Sequence, residues 1–183
     1  MKKILSIIGI MLVLTGCSLG MEDLDNTPTK QVEAYLNSYQ KLDDNVLNDL
    51  DNILDDEITF NNDQRDRYRE IVKKGYQELT YEIKDEKVNG NTAEVEVEIE
   101  VIDYSNIITK SEDYLNQNPN EFNDEEGNYD VSLFTDYRLD LLEKNKEKVE
   151  YTITFNLTKE NDKWTIDQLS EDDINKINGT YNH

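Results

Sequence analysis

The chain has 183 residues, 36% of them hydrophobic, with 19 Lys+Arg against 41 Asp+Glu and a net charge of -22. That length holds one domain, or one domain with a small appendage, and is too short for a two-lobed solute receptor or a multidomain enzyme. The acidity excludes a nucleic-acid partner, which needs a basic face, and a single Cys (Cys17) with a single His (His183) excludes an internal disulfide or a Cys/His site.

Met1-Lys2-Lys3 is a short positive region, and Ile4 to Leu14 is an apolar run broken by Ser6 and Gly9. Such a run is too short for a bilayer-spanning helix, which needs about 20 residues, and suits the apolar stretch of a secretory signal. It ends in Leu14-Thr15-Gly16-Cys17, which resembles the bacterial lipobox: an apolar residue, two small residues, then the cysteine. The small side chains admit a signal peptidase to the Gly16–Cys17 bond, and the Cys17 thiol takes a diacylglyceryl group through a thioether. Residues 1–16 are therefore expected to be a lipoprotein signal peptide and 17–26 a lipidated cysteine with its tether. Two acyl chains anchor stably where one does not. The expected location is the extracytoplasmic face of the cell membrane, with the membrane itself as first partner. Cleavage removes Lys2 and Lys3, so the mature chain is more acidic still and anionic headgroups repel it. The polar tether to Asn26 reads as unstructured and reaches at most about 30 Å.

A single α+β domain is expected over 27–183. Thr27-Pro28 opens a first helix, with Val32, Tyr35, Leu36 and Tyr39 on one stripe. A second runs from about Asp44 with Val46, Leu47, Leu50, Ile53 and Leu54 facing inward. Asn61/Asn62 cap a third, carrying Tyr68, Ile71, Val72, Tyr76 and Leu79.

The period then changes from 3.6 to 2. Leu79, Tyr81 and Ile83 alternate with polar residues, and Asn89-Gly90 supplies a turn. Ala93, Val95, Val97, Ile99 and Val101 then alternate with Glu94, Glu96, Glu98 and Glu100, predicting one dry and one wet sheet face. A second hairpin is expected from Tyr151, Ile153, Phe155 and Leu157, through Glu160-Asn161-Asp162, into Trp164-Thr165-Ile166. Ser170, with Asp173 three residues on, resembles a capping box for a last helix ending at Asn178-Gly179. Between the hairpins, 105–147 reads as a helical insertion. One helix carries Ile107, Ile108, Tyr114 and Leu115 and stops at Asn118-Pro119. A second spans about Asp130 to Lys146, and the acidic stretch 120–128 between them reads as a mobile loop with little to bury. The fold class is thus α+β: N-terminal amphipathic helices on a curved antiparallel sheet of two hairpins.

The signal and lipobox, then Thr27-Pro28 with a Tyr-rich helix, then a closing hairpin ending in Lys163-Trp164-Thr165-Ile166, resemble small Gram-positive lipoproteins. Those are assigned to the nuclear-transport-factor-two-like superfamily. Over residues 27–180 the resemblance implies a curved sheet and helices forming a cone around a cavity, from which the 105–147 insertion departs. The superfamily holds isomerases, dehydratases, transport factors and non-catalytic modules, so it implies no single activity.

Three features are candidates for chemistry. Glu94, Glu96, Glu98 and Glu100 form a carboxylate ladder that could meet a cation or a basic partner protein or peptide. Two such charges about 7 Å apart in water repel by only about 0.6 kcal/mol, so the ladder can persist without a function, and a solvated face balanced by Lys84, Lys87 or cross-strand threonines is the preferred reading. Arg65, Arg69 and Lys73 recur at every fourth residue and are candidates to contact an anion, or to pair with Asp66 and Glu70 as a salt-bridged rim. The acidic stretch invites a calcium loop. Setting Gly127 at position 6, however, puts Phe122 at 1 and Leu133 at 12, where carboxylates are required. No phosphate-binding Gly-rich loop, metal-ligand spacing or nucleophile elbow is present, so no catalytic residue, metal or cofactor is assigned.

The expectation is a non-catalytic, membrane-tethered extracytoplasmic module binding a protein, peptide or small ligand. The alternatives are a small cone-fold enzyme at the membrane surface or a structural accessory of envelope or spore assembly. An enzyme would need an apolar pocket with convergent polar groups of shifted pKa.

Overall fold

The computed structural model describes residues 26–56 and 59–182. Cys17, Gly16, most of the tether and His183 lie outside them. Thr27 holds extended backbone and its hydroxyl accepts the Lys30 N–H at 3.2 Å, starting α1 (Pro28–Lys41) with Pro28 in the first turn. After α2 (Asp44–Asp56), α3 (Asn62–Glu78) opens on a complete capping box. Asn61 Oδ1 accepts from Gln64 N at 3.0 Å, and Gln64 Oε1 accepts from Asn61 N at 3.1 Å.

The sheet that follows is antiparallel, open, and ordered β1-β2-β3-β4, with β1 (Thr80–Asn89), β2 (Thr92–Ile102), β3 (Lys148–Glu160) and β4 (Lys163–Ile166). The two hairpins are joined by β2 lying against β3, with Val97 opposite Ile153 and Glu98 opposite Thr152. The expected alternation holds along β2, where Ala93, Val95, Val97, Ile99 and Val101 are buried and Glu94 and Glu96 exposed. Val32 and Leu36 of α1 pack on this dry face with no solvent exposure. The layer between sheet and α1 is filled with side chains.

β1 departs from simple alternation. A bulge between Ile83 and Asp85 inserts one residue, so Glu86 and Val88, not their neighbours, share the side of Val95 and Ala93. Glu86 thereby reaches the first turn of α1, accepting the Thr29 N–H at 3.0 Å and its hydroxyl at 2.5 Å, where a carboxylate complements the helix dipole.

The insertion is α4 (Tyr104–Gln117), a short 3-10 turn Pro119–Phe122, and α5 (Val131–Lys144); α6 (Glu171–Ile177) closes the chain. Asp103 and Asp130 cap α4 and α5 through their carboxylates. The insertion makes a second core with α3, in which Ile71, Ile102, Tyr104, Ile107, Leu139 and Leu142 are buried together. Two sequence expectations are corrected. The stretch 120–128 does bury something: Phe122 is 4% exposed, within an aromatic cluster whose ring centroids lie 5.2 Å (Phe134), 5.4 Å (Tyr137) and 6.2 Å (Tyr114) away. Its Asp124 carboxylate accepts the backbone N–H groups of Glu126 and Asn128, locking the turn around Gly127. Ile53, expected to face inward, is 60% exposed, because its neighbour Leu54 takes the buried place on α2.

Trp164 is 7% exposed, on the same side as Leu157 and Phe155. Its backbone N–H donates to Asn26 Oδ1 at 3.1 Å, and Asn26 Nδ2 donates to Asp162 O at 2.6 Å. Asn26, read from sequence as the end of a loose tether, instead pins the chain to the edge strand and occupies part of its open hydrogen-bonding edge. Trp164→Ala empties the largest side chain of this corner and is expected to cost about 3–5 kcal/mol of stability by chemical denaturation. A loss below about 1 kcal/mol would contradict its place in the core.

Candidate functional site

The described residues form an apolar groove away from the sheet, among the helices. α5 lays one face along it at helical spacing, Val131, Phe134 and Leu142 among its residues. α4 contributes Ile108, α3 contributes Tyr68, and α2 with the start of α3's approach contributes Ile53, Leu54 and Phe60. The volume is about 540 Å³. A second hollow of about 150 Å³, reaching Tyr76 and Asn178, shares Ile53, Tyr68, Ile108 and Leu142 with the first, so the two run together. The lips are exposed: Ile53 by 60%, Tyr129 by 51% and Val131 by 43%.

The walls are fixed by buried polar contacts. Gln64 is 1% exposed, and its Nε2 donates to Ser132 O, Ser132 Oγ and Asp136 Oδ1 at 3.0, 2.9 and 3.0 Å, tying the start of α3 to the start of α5. Tyr104 sits in the cleft of α3, its hydroxyl donating to Ile71 O at 2.9 Å and its ring so close to Gly75 that a Cβ there would lie 2.7 Å from the hydroxyl. On the outer flank Arg67 spans three acids of α5: Asp140 at 2.6 Å, Glu143 at 2.8 Å and Asp136 at 3.4 Å. The Glu143 hydrogen bond, against a burial cost and with Asp140 adding, pushes the Arg67 pKa further up. This pairing crosses one rim of a further hollow of about 420 Å³ beside Ile71 and Ile102, on the other flank of α3.

The shifted ionisations among the described residues all run away from neutrality. Burial pushes the phenols of Tyr39, Tyr76 and Tyr104 well above their usual value. Tyr76 and Tyr104 thus act as neutral hydrogen-bond pins, Tyr76 donating to Asn178 Oδ1 at 3.1 Å. The backbone N–H of Asn128 pulls Asp124 down, and Lys87 does the same to Asp85. These shifts bring no group into the range where it would exchange protons at neutral pH.

The glutamate ladder lies on the solvent face of β2, as expected. Glu98 meets Lys84 at 2.8 Å and Glu100 meets Lys148 at 2.9 Å, while Glu94 lies across from Lys87 and Glu96 between Asp85 and Thr154. The α3 bases stand elsewhere, on the helical side. Arg69 pairs with Asp51 at 2.8 Å and Asp66 at 3.1 Å, and Lys73 with Glu70 at 2.7 Å; Arg65 is half-buried on the same helix. The structure brings neither set to the groove. Sequence reasoning missed both the groove and the Arg67 cluster. The one legible signal for the cluster was Asp136, Asp140 and Glu143 on a single helix face.

Among the described residues no group of three or more His, Cys, Asp or Glu could hold a metal ion, and no helix is long and apolar enough to cross a membrane. No curated protein and no solved structure matches the chain. The family model for the prokaryotic membrane lipoprotein lipid attachment site matches residues 1–18, spanning the lipobox and Cys17. The chain therefore carries a lipid attachment site at its N-terminus and is a membrane-anchored lipoprotein.

Proposed function

We propose that this lipoprotein is a non-catalytic binding module held on the extracytoplasmic face of the cell membrane, and that the groove among α2, α3, α4 and α5 is where it holds its ligand. The observation that carries the reading is the set of large apolar residues, Ile53, Tyr129 and Val131, left exposed around a cavity of about 540 Å³. Cavities of roughly 300–1,000 Å³ are typical of ligand sites, and clustered exposed apolar surface marks interaction sites. The lipid attachment site supports anchoring at the membrane, and the acidity of the chain, net charge -22, disfavours contact of the domain with anionic headgroups, leaving the groove open to a ligand.

The chain has one cysteine, which acylation consumes, so a new thiol is a unique label site. Ile53→Cys and Glu96→Cys are compared with a membrane-impermeant maleimide on intact cells and after purification. Glu96→Cys is expected to react at equal rates in both. Ile53→Cys is expected to react several-fold more slowly on cells, where a ligand covers the groove. Equal rates for Ile53→Cys in both states would count against the groove, and no reaction of Glu96→Cys until permeabilisation would count against the extracytoplasmic location.

A further inference from the structure

Resting on the groove reading above, we propose that the ligand is a small amphiphile with a single carboxylate, its head on the Arg138 guanidinium and its apolar body along the groove. The residues that α5 presents to the groove are Val131, Phe134, Thr135, Arg138, Leu139 and Leu142. Arg138 thus stands in the middle of an apolar stripe, where helical spacing calls for another apolar side chain. Among the described residues that line the groove it is the only charged one.

The guanidinium is held in place before any ligand arrives. Its Nε donates at 3.1 Å to Ser111 Oγ, and Ser111 is fully buried on α4 with its own hydroxyl donating to Ile108 O at 2.7 Å. Its central carbon lies 4.6 Å from the centroid of the Phe134 ring, which also lines the groove. One edge and one face of the group are fixed by these contacts. Nη2 makes a long contact of 3.4 Å to Glu112, whose side chain is 58% exposed, a weak pair of the surface kind. Nη1 has no hydrogen-bond partner among the described residues. The Nη1/Nη2 edge is the one that takes a carboxylate through two parallel bonds, and it is the edge left to a ligand.

The lining also selects the head group. It offers one positive charge and, among the described residues, no acid and no second base. A monocarboxylate is neutralised there, whereas a phosphate, at about −1.5 to −2, keeps excess charge. A cationic head meets like charge, and a neutral one leaves the guanidinium without an anion. Apolar walls strengthen the pair relative to water. The net charge of -22 repels anions at long range, but that repulsion is screened beyond about 8 Å at physiological ionic strength, and the contact in the groove is far shorter.

The test uses the lipidated chain carrying Ile53→Cys, in nanodiscs of neutral phosphocholine lipid, and follows the rate of maleimide labelling at the groove lip as a probe is added. Glu96→Cys, on the sheet, is the reference. The probes are octanoate, octanamide, octylammonium and octyl phosphate, one tail with different heads, their free concentrations set by dialysis. Octanoate is expected to protect position 53 at a concentration at least about tenfold lower than octanamide, and to protect better than the other two, with position 96 unaffected. Arg138→Gln should bring octanoate down to the octanamide level. Glu112→Gln frees Nη2 without touching the groove lining, and should tighten octanoate several-fold while leaving octanamide unchanged. An arginine that only ties α5 to α4 would not give that response, so this variant decides the matter even if Arg138→Gln fails to fold. Octanoate no better than octanamide, or weaker than octyl phosphate or octylammonium, would overturn the carboxylate ligand and leave the groove reading standing. A preference for octanoate that survives Arg138→Gln and ignores Glu112→Gln would overturn the role of Arg138. No protection by any probe would overturn the amphiphile, and equal labelling of Ile53→Cys on cells and after purification would bring down the groove reading with it.

Discussion

Gly179→Ala is expected to abolish the cooperative unfolding transition, a loss on the order of 5 kcal/mol or more, far beyond an ordinary surface substitution. Gly179 ends α6 with φ +69°, a conformation L-residues rarely adopt. Space is the harder constraint. A Cβ built there would lie 2.0 Å from the Ile102 carbonyl oxygen, a backbone atom that cannot swing away. The Gly179 carbonyl also accepts the N–H groups of Tyr104 at 2.9 Å and Ser105 at 3.0 Å, two donors in the first turn of α4 that have no partner within their own helix. Pushing Gly179 outward breaks the joint at which the end of the chain, β2 and the insertion meet. Gly90→Ala is the control: φ is +61° there too, but nothing lies within 4 Å, so the cost should be about 1 kcal/mol. Thermal unfolding of the two variants side by side decides the matter. Similar transitions would show that the close approach at Gly179 relaxes cheaply.

Cys17→Ser is expected to remove the anchor entirely. The sulfur is the atom that forms the thioether, and a serine hydroxyl at the same place is a much weaker nucleophile. The variant should accumulate as unprocessed precursor that takes up no labelled fatty acid. Trp164→Ala, which acts only on the folded domain, should be labelled normally before it is degraded. Normal labelling of Cys17→Ser would contradict lipid attachment at this residue.

Much of the fold was legible because its signals are local. Thr27-Pro28 and Asn61 with Gln64 announce helix starts through side chains that reach their own backbone, and the β2 alternation declares its dry face without reference to any partner. The failures are all matters of distance along the chain. Ile53 has the helical spacing of a core residue, but whether an apolar position is covered depends on α5, some 80 residues later. Phe122 lies in an acidic stretch that looks solvated, and only Tyr114, Phe134 and Tyr137 closing around it make it an anchor. The bulge at Ile83/Asp85 leaves no Gly or Pro to mark it, yet it decides that Glu86 meets α1. The groove is built by four helices at once, and none of its members carries a motif. The glutamate ladder and the Arg65/Arg69/Lys73 stripe stood out in sequence because charge is visible residue by residue. In the structure, Glu98, Glu100, Arg69 and Lys73 are paired with neighbouring charges.

Photo-crosslinking in living cells tests the groove most directly. A benzophenone side chain is placed at Tyr129, on the groove lip, or at Glu96, on the solvent face of the sheet, and cells are irradiated before the lipoprotein is purified. A discrete adduct from position 129, absent from position 96 and lost when Ile53→Ser is added, is the expected result. An adduct from position 96 with none from 129 would place the binding surface on the sheet and contradict the role of the groove.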